Sequence, residues 1–187
     1  MRLFVALDLP AEIRDAIVKA SGSLRSEAAG ARWSKPEAMH VTLKFLGETD
    51  ESLLPQIKAA LERAVSSDAV SLRLRGVGFF PDEKRPRVMW CGVEASPNLA
   101  ELAAEIQQSL LPLGFEAEAR RYVPHVTLAR LNAARDLEKL VRAAGPLASY
   151  DFGAARASEF HLFESVLKPS GSEYQKLATF RFVKDAP

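Results

Sequence analysis

At 187 residues, with 25 basic and 24 acidic side chains and a formal net charge of +1, the chain can bury a sizeable single core but lacks the basic coat of a protein that grips long duplexes. Cys91, the one cysteine, excludes an internal disulfide and a cysteine-based zinc cluster, and its setting in Val88-Met89-Trp90-Cys91 predicts a buried, structural thiol. The composition is that of a soluble globular protein, with no run near the roughly 18 apolar residues of a membrane span and no signal-peptide core, so a cytoplasmic protein is expected.

In chain order, Leu3 to Leu7 is an apolar run that predicts a buried strand. Asp8-Leu9-Pro10 opens a helix with Ile13, Ile17 and Leu24 at near-helical spacing, ended by Gly30. Met39 to Leu46 reads as a second strand. The next helix carries Leu53, Leu54, Ile57, Leu61 and Val65 on one stripe. Asp50 or Ser52 caps it, and Pro55 favours Ser52, which keeps the proline in the first turn. Between Val70 and Phe80, Leu72 and Leu74 alternate with Arg73 and Arg75, a strand pattern. The turn Pro81-Asp82-Glu83-Lys84-Arg85-Pro86 joins it to a strand at Arg87 to Glu94 as a hairpin. Pro97 to Leu111 reads as a helix, Val123 to Leu131 as a strand and Arg135 to Ala144 as a helix. Phe160 to Leu167 and Tyr174 to Val183 form a second hairpin around Pro169-Ser170-Gly171.

The second part of this series repeats the first. His40 and His125 stand 85 residues apart, as do Arg2 and Arg87. We read an internal duplication of one β-α-β-α-β unit, approximately 1–86 and 87–187, within a single bilobal domain, 1–187. Each lobe should lend one strand to a shared cleft.

The chemistry lies in two identical tetrapeptides, His40-Val41-Thr42-Leu43 and His125-Val126-Thr127-Leu128. In a strand, His and Thr at i and i+2 share one face while Val and Leu point into the core. A lone strand histidine is usually a satisfied core residue. Two in a repeated frame, holding two of only three histidines, point to a pair flanking one phosphorus. One imidazole would take a proton from attacking water and the other would protonate the departing ribose oxygen. Thr42 and Thr127 can donate to the phosphate oxygens, and Arg130 can clamp them. Strict alternation, however, puts Phe45 and Arg130 on the face opposite the imidazoles, so reaching the cleft requires a bulge near Lys44 and Ala129. His161, in Phe160-His161-Leu162-Phe163, reads as structural. Two histidines alone make a poor zinc site, so no metal is expected.

At these residues the chain resembles the two-histidine (2H) phosphoesterase superfamily, specifically its bacterial and archaeal RNA 2',3'-cyclic phosphodiesterases, also called 2'-5' RNA ligases. The resemblance runs nearly end to end, through Arg2-Leu3-Phe4-Val5-Ala6, Arg32-Trp33-Ser34-Lys35-Pro36-Glu37, the stretch from His40 to Glu48, Pro124 to Arg130, and Leu162-Phe163-Glu164-Ser165 on to Tyr174 and Leu177. The extended motifs HxTxxF and HxTxxR are both intact. Ala38-Met39 and Arg121-Tyr122 depart only locally.

The resemblance implies an α+β fold of two pseudo-symmetric antiparallel lobes forming a central cleft, with helices packed outside. It implies His40 as general acid, His125 as general base, Thr42, Thr127 and Arg130 on the phosphate, and Phe45 stacked on the terminal base. It implies no cofactor and a 2'-phosphomonoester product. RNA ends or small cyclic-phosphate nucleotides are the expected partners, with no membrane and a monomeric state. Reversible 2'-5' RNA ligation, another cyclic-nucleotide phosphodiesterase activity, or a non-catalytic RNA-end binding module are the alternatives.

Overall fold

A computed structural model describes residues 1–64, 68–132, 134–168 and 171–182. Val65, Pro169, Ser170 and Val183, which the sequence reading used, lie outside the described residues. The strands are β1 (Arg2–Asp8), β2 (Arg32–Trp33), β3 (His40–Glu48), β4 (Val70–Phe80), β5 (Val88–Ala95), β6 (His125–Arg130), β7 (Asp151–Ala157), β8 (Glu159–Lys168) and β9 (Gly171–Arg181). The helices are α1 (Ala11–Ser21), α2 (Leu54–Arg63), α3 (Asn98–Leu110) and α4 (Leu137–Ala144). Among the described residues no helix is long and apolar enough to cross a membrane.

The strands form one antiparallel sheet in the order β7-β4-β5-β6-β3-β1-β8-β9, with β2 added to β6. The fold class is the α+β arrangement expected. The motif strands β3 and β6 are central neighbours that pair only at Val41 and Val126 and so leave a gap beside that contact. β1 is apolar without interruption because both its faces are covered. Leu3, Val5 and Leu7 join the main core beneath the helices, while Phe4 and Ala6 form a separate small cluster with Phe163 and Tyr174. The helices close the core from outside through stripes such as Leu99, Leu102, Ile106 and Leu110 of α3.

Three expectations are corrected. The halves of the sheet are not the halves of the sequence: β4, from the first 86 residues, sits with β5, β6 and β7, while β8 and β9 join β1 and β3. The reason is local, because the β4–β5 hairpin pairs across the supposed boundary, and short antiparallel connections favour pairing of sequence neighbours. The strand correspondence is also one residue off. Ala6 lies opposite Thr42 and Trp90 opposite Thr127, so β1 and β5 match at a spacing of 84, not the 85 that equated Arg2 with Arg87. Finally, the Asp50 carboxylate, not Ser52, accepts a backbone bond, from the Ser52 N–H at 2.8 Å. It starts a 3-10 turn at Glu51–Leu53 that leads into α2, with Pro55 still in the first turn.

Candidate active site

Each motif strand carries a bulge immediately after its threonine. In β3, Lys44 faces Val5 and Thr42 faces Ala6, so Leu43 is passed over. In β6, Ala129 faces Met89 and Thr127 faces Trp90, so Leu128 is passed over. Two consecutive residues are consequently buried in each strand, Leu43 with Lys44 and Leu128 with Ala129, and the alternation restarts on the other phase. Phe45 (57% exposed) and Arg130 thereby return to the face of the imidazoles. A second irregularity at Leu46 precedes Gly47, whose φ of +73° suits glycine.

The bulges are braced reciprocally. Ser34, in the segment leading into the first motif, donates its hydroxyl to the Thr127 carbonyl (2.8 Å) and its N–H to the Leu128 carbonyl (2.8 Å). Tyr122, in the segment leading into the second motif, donates its hydroxyl to the Thr42 carbonyl (3.0 Å). Lys44, buried at the β3 bulge, reaches the Glu116 carbonyl (2.7 Å) and the Glu118 carboxylate (3.5 Å). Main-chain groups that lose ladder partners at a bulge must find others, and these side chains supply them.

The two imidazoles are held alike. His40 Nδ1 lies 2.8 Å from the Ala38 carbonyl and His125 Nδ1 lies 2.8 Å from the Val123 carbonyl. A carbonyl only accepts, so each Nδ1 carries the hydrogen and each Nε2, on the far ring edge, is left out of that bond. Around His40 stand Phe4 (4.7 Å between ring centroids), Tyr174 (5.2 Å, edge-on) and Phe163 (6.4 Å). Burial among these rings pushes the His40 pKa down to about 4. The Ala38 carbonyl and Asp8, opposite on β1, favour protonation but are outweighed, while the charges of His125 and Arg130 add to the depression. At neutral pH His40 is therefore neutral. Asp8 itself is partly buried, which works to raise its pKa, but Lys176 at 2.8 Å and Arg14 at 3.7 Å prevail and lower it.

His125 has different company. Phe80 meets it edge-on at 5.0 Å and meets Trp90 at 5.1 Å. Trp90 lies opposite Gly78 as well as Thr127, and a Cβ on Gly78 would come within 2.3 Å of the indole. Thr42, Phe45 and His125 line one cavity, and His125 and Arg130 are close enough to His40 for their charges to act on it. His161 is buried behind Phe163, which it meets edge-on at 5.5 Å, and is bonded through Nδ1 to the Thr179 hydroxyl at 3.0 Å, with burial lowering its pKa. Cys91 is buried too, its thiol pushed up to about 12 by that burial. Among the described residues no three His, Cys, Asp or Glu side chains gather to hold a metal ion.

Sequence reasoning missed Phe4, Phe163, Tyr174, Phe80 and Trp90 as neighbours of the imidazoles, and Ser34 and Tyr122 as braces. Only the placement of Phe4 and Phe163 on apolar strands hinted at the first group, and nothing in the residues marked the braces.

The model of the 2'-5' RNA ligase superfamily matches residues 10–166. An RNA 2',3'-cyclic phosphodiesterase of Methanothermobacter thermautotrophicus is 33% identical over 182 residues, which cover 97% of this chain and 98% of that one. TT0787 of Thermus thermophilus superposes over 100% of both chains with a TM-score of 0.84 at 32% identity. E. coli LigT complexed with 3'-AMP superposes over 97% of each chain with a TM-score of 0.80 at 27% identity. The chain belongs to the 2'-5' RNA ligase superfamily.

Proposed function

We propose that this protein hydrolyses 2',3'-cyclic phosphate ends of RNA to 2'-phosphomonoesters, with His40 and His125 as an acid–base pair and no metal. The observation that carries this reading is the matched tethering of the two imidazoles, each held through Nδ1 by a backbone carbonyl two residues upstream, with His125 lining a cavity shared with Thr42 and Phe45. The M. thermautotrophicus relative is named an RNA 2',3'-cyclic phosphodiesterase. Water attacks phosphorus as one Nε2 takes its proton. The bond to the 3' oxygen breaks as the other imidazolium protonates that oxygen, leaving a 2'-phosphomonoester and a 3'-hydroxyl. Thr42, Thr127 and Arg130 hold the non-bridging oxygens, and their contacts tighten as charge builds. Phe45 offers an exposed ring for the terminal base.

The acid role for His40 implied by the resemblance sets a condition, because the free imidazole is neutral. A single negative charge about 4 Å away is worth about 4 kcal/mol at an effective dielectric of about 20. At about 1.4 kcal/mol per pKa unit, that is enough to offset the depression that burial imposes on His40. The charge of the bound phosphate therefore favours the imidazolium form of His40, which takes its proton from solvent, and His125 acts on water.

The test uses a nucleoside 2',3'-cyclic phosphate with excess EDTA. Turnover should persist, and His40→Ala and His125→Ala should each lose at least about a hundredfold. On a diester with a nitrophenolate leaving group, which needs no acid, His40→Ala should recover much of its rate and His125→Ala should not. Activity that requires a divalent ion, or near-wild-type turnover by either variant, would overturn the proposal. The opposite pattern of recovery would exchange the two roles.

A further inference from the structure

The cavity that opens onto His125 is larger than a cyclic phosphate needs. Its volume is about 820 Å³, toward the upper end of the roughly 300–1,000 Å³ typical of small-ligand pockets. It occupies the gap left where β3 and β6 pair at a single position, and it extends to α3. Its apolar lining comes from Phe80 and Val88, paired across β4 and β5, and from Ala103 and Ala104 of α3. Arg87, Arg120 and Arg121 also line it, and all three are exposed. None of the three guanidiniums makes an ion pair or a side-chain hydrogen bond among the described residues. The one carboxylate on the lining, Glu118, is partnered by Lys44 at 3.5 Å. Three uncompensated guanidiniums around an apolar lining form a site for groups that combine flat apolar rings with repeated negative charge.

We propose that this cavity is a subsite for the RNA body: it seats the nucleotide 5' to the cyclic end, its base on the apolar lining and the adjoining phosphates on Arg87, Arg120 and Arg121. The inference rests on the function proposed above and adds to it a place for the RNA chain upstream of the cyclic end. The cyclic end remains with the histidines and threonines, so the arginines act only on substrates long enough to reach them.

The experiment compares a pentaribonucleotide ending in a 2',3'-cyclic phosphate with the corresponding mononucleotide, for wild type and for the triple variant Arg87→Ala/Arg120→Ala/Arg121→Ala. Wild type should show a kcat/KM at least about tenfold higher on the pentanucleotide. The triple variant should lose that advantage while its mononucleotide rate stays within about twofold. With a slope of about 0.7 per phosphate contact on single strands, the salt dependence of log kcat/KM on the pentanucleotide should flatten by about 2 in the variant. Equal wild-type efficiency on the two substrates, or an undiminished preference in the variant, would overturn the subsite. If wild type hydrolyses neither substrate, the functional reading fails, and anisotropy of the labelled pentanucleotide then decides the subsite separately. Binding lost in the triple variant supports it, and equal binding overturns it.

Discussion

Arg130 has no carboxylate partner among the described residues, and the bulge at Leu128 turns it toward the imidazoles, where its charge acts on His40 and Tyr174. An unpaired guanidinium beside two imidazoles is placed to meet a phosphate with a two-pronged contact that lysine cannot copy. Arg130→Ala should therefore raise the barrier on a cyclic nucleotide by about 2–4 kcal/mol, and Arg130→Lys should retain part of the rate. Equal, near-wild-type rate constants for the two variants would remove Arg130 from the site. At this scale the sequence was most informative. Two identical tetrapeptides announce His40, Thr42, His125 and Thr127 because a repeated motif is hard to explain by packing alone. The rings that depress His40 were illegible for a physical reason: Phe163 and Tyr174 reach it through β8 and β9, strands more than a hundred residues away in sequence.

Alternation alone misplaces Phe45 and Arg130, and the two bulges correct it. What holds each bulge is a hydroxyl from the segment that precedes the opposite motif, Tyr122 on the Thr42 carbonyl and Ser34 on the Thr127 carbonyl. Each brace ties one motif strand to the approach of the other, across a junction with only one paired position. Tyr122→Phe and Ser34→Ala should each cost about 1 kcal/mol of stability, the net worth of one hydrogen bond. Each should also lower kcat several-fold on a cyclic mononucleotide, because the threonine and imidazole above the freed carbonyl lose their fixed positions. Ser34→Ala is the cleaner case, since Tyr122 also lines the cavity. A stability loss with kcat unchanged would make the braces purely structural. Nothing in the residue pattern could have revealed them, because a serine or tyrosine in a loop segment carries no periodic signal. β7 escaped for a related reason: Asp151-Phe152-Gly153-Ala154-Ala155-Arg156-Ala157 has no β-branched residue, so it has little strand propensity. Strands such as β1, β4 and β8 were legible because their core-facing residues are large and apolar.

Across the whole molecule, the sheet interleaves the two sequence halves, so folding must bring β8 and β9 onto β1 before the aromatic surroundings of His40 exist. Burial of that imidazole is thus a property of the complete fold, and it couples stability to pH. In the unfolded chain His40 has the ordinary histidine pKa of about 6.5, and in the folded protein it falls to about 4. Between these values the unfolded chain binds a proton that the folded protein does not, so stability falls as pH is lowered through this window. At pH 5 the loss from His40 alone is about 2 kcal/mol relative to neutral pH, and the lowered pKa of His161 adds a loss of the same sign. Asp8 and Glu173, whose pKa values are lowered from ordinary carboxylate positions, lose their contributions only further down. Urea unfolding at pH 7.5 and pH 5 should show this directly. Wild type should lose about 2 kcal/mol more than His40→Gln over that interval, because glutamine has no proton to gain, and the remaining pH dependence of the variant should come chiefly from His161. If wild type and His40→Gln show the same pH dependence, His40 is not held neutral by the fold, and the requirement that the charge of bound phosphate favour its protonation disappears.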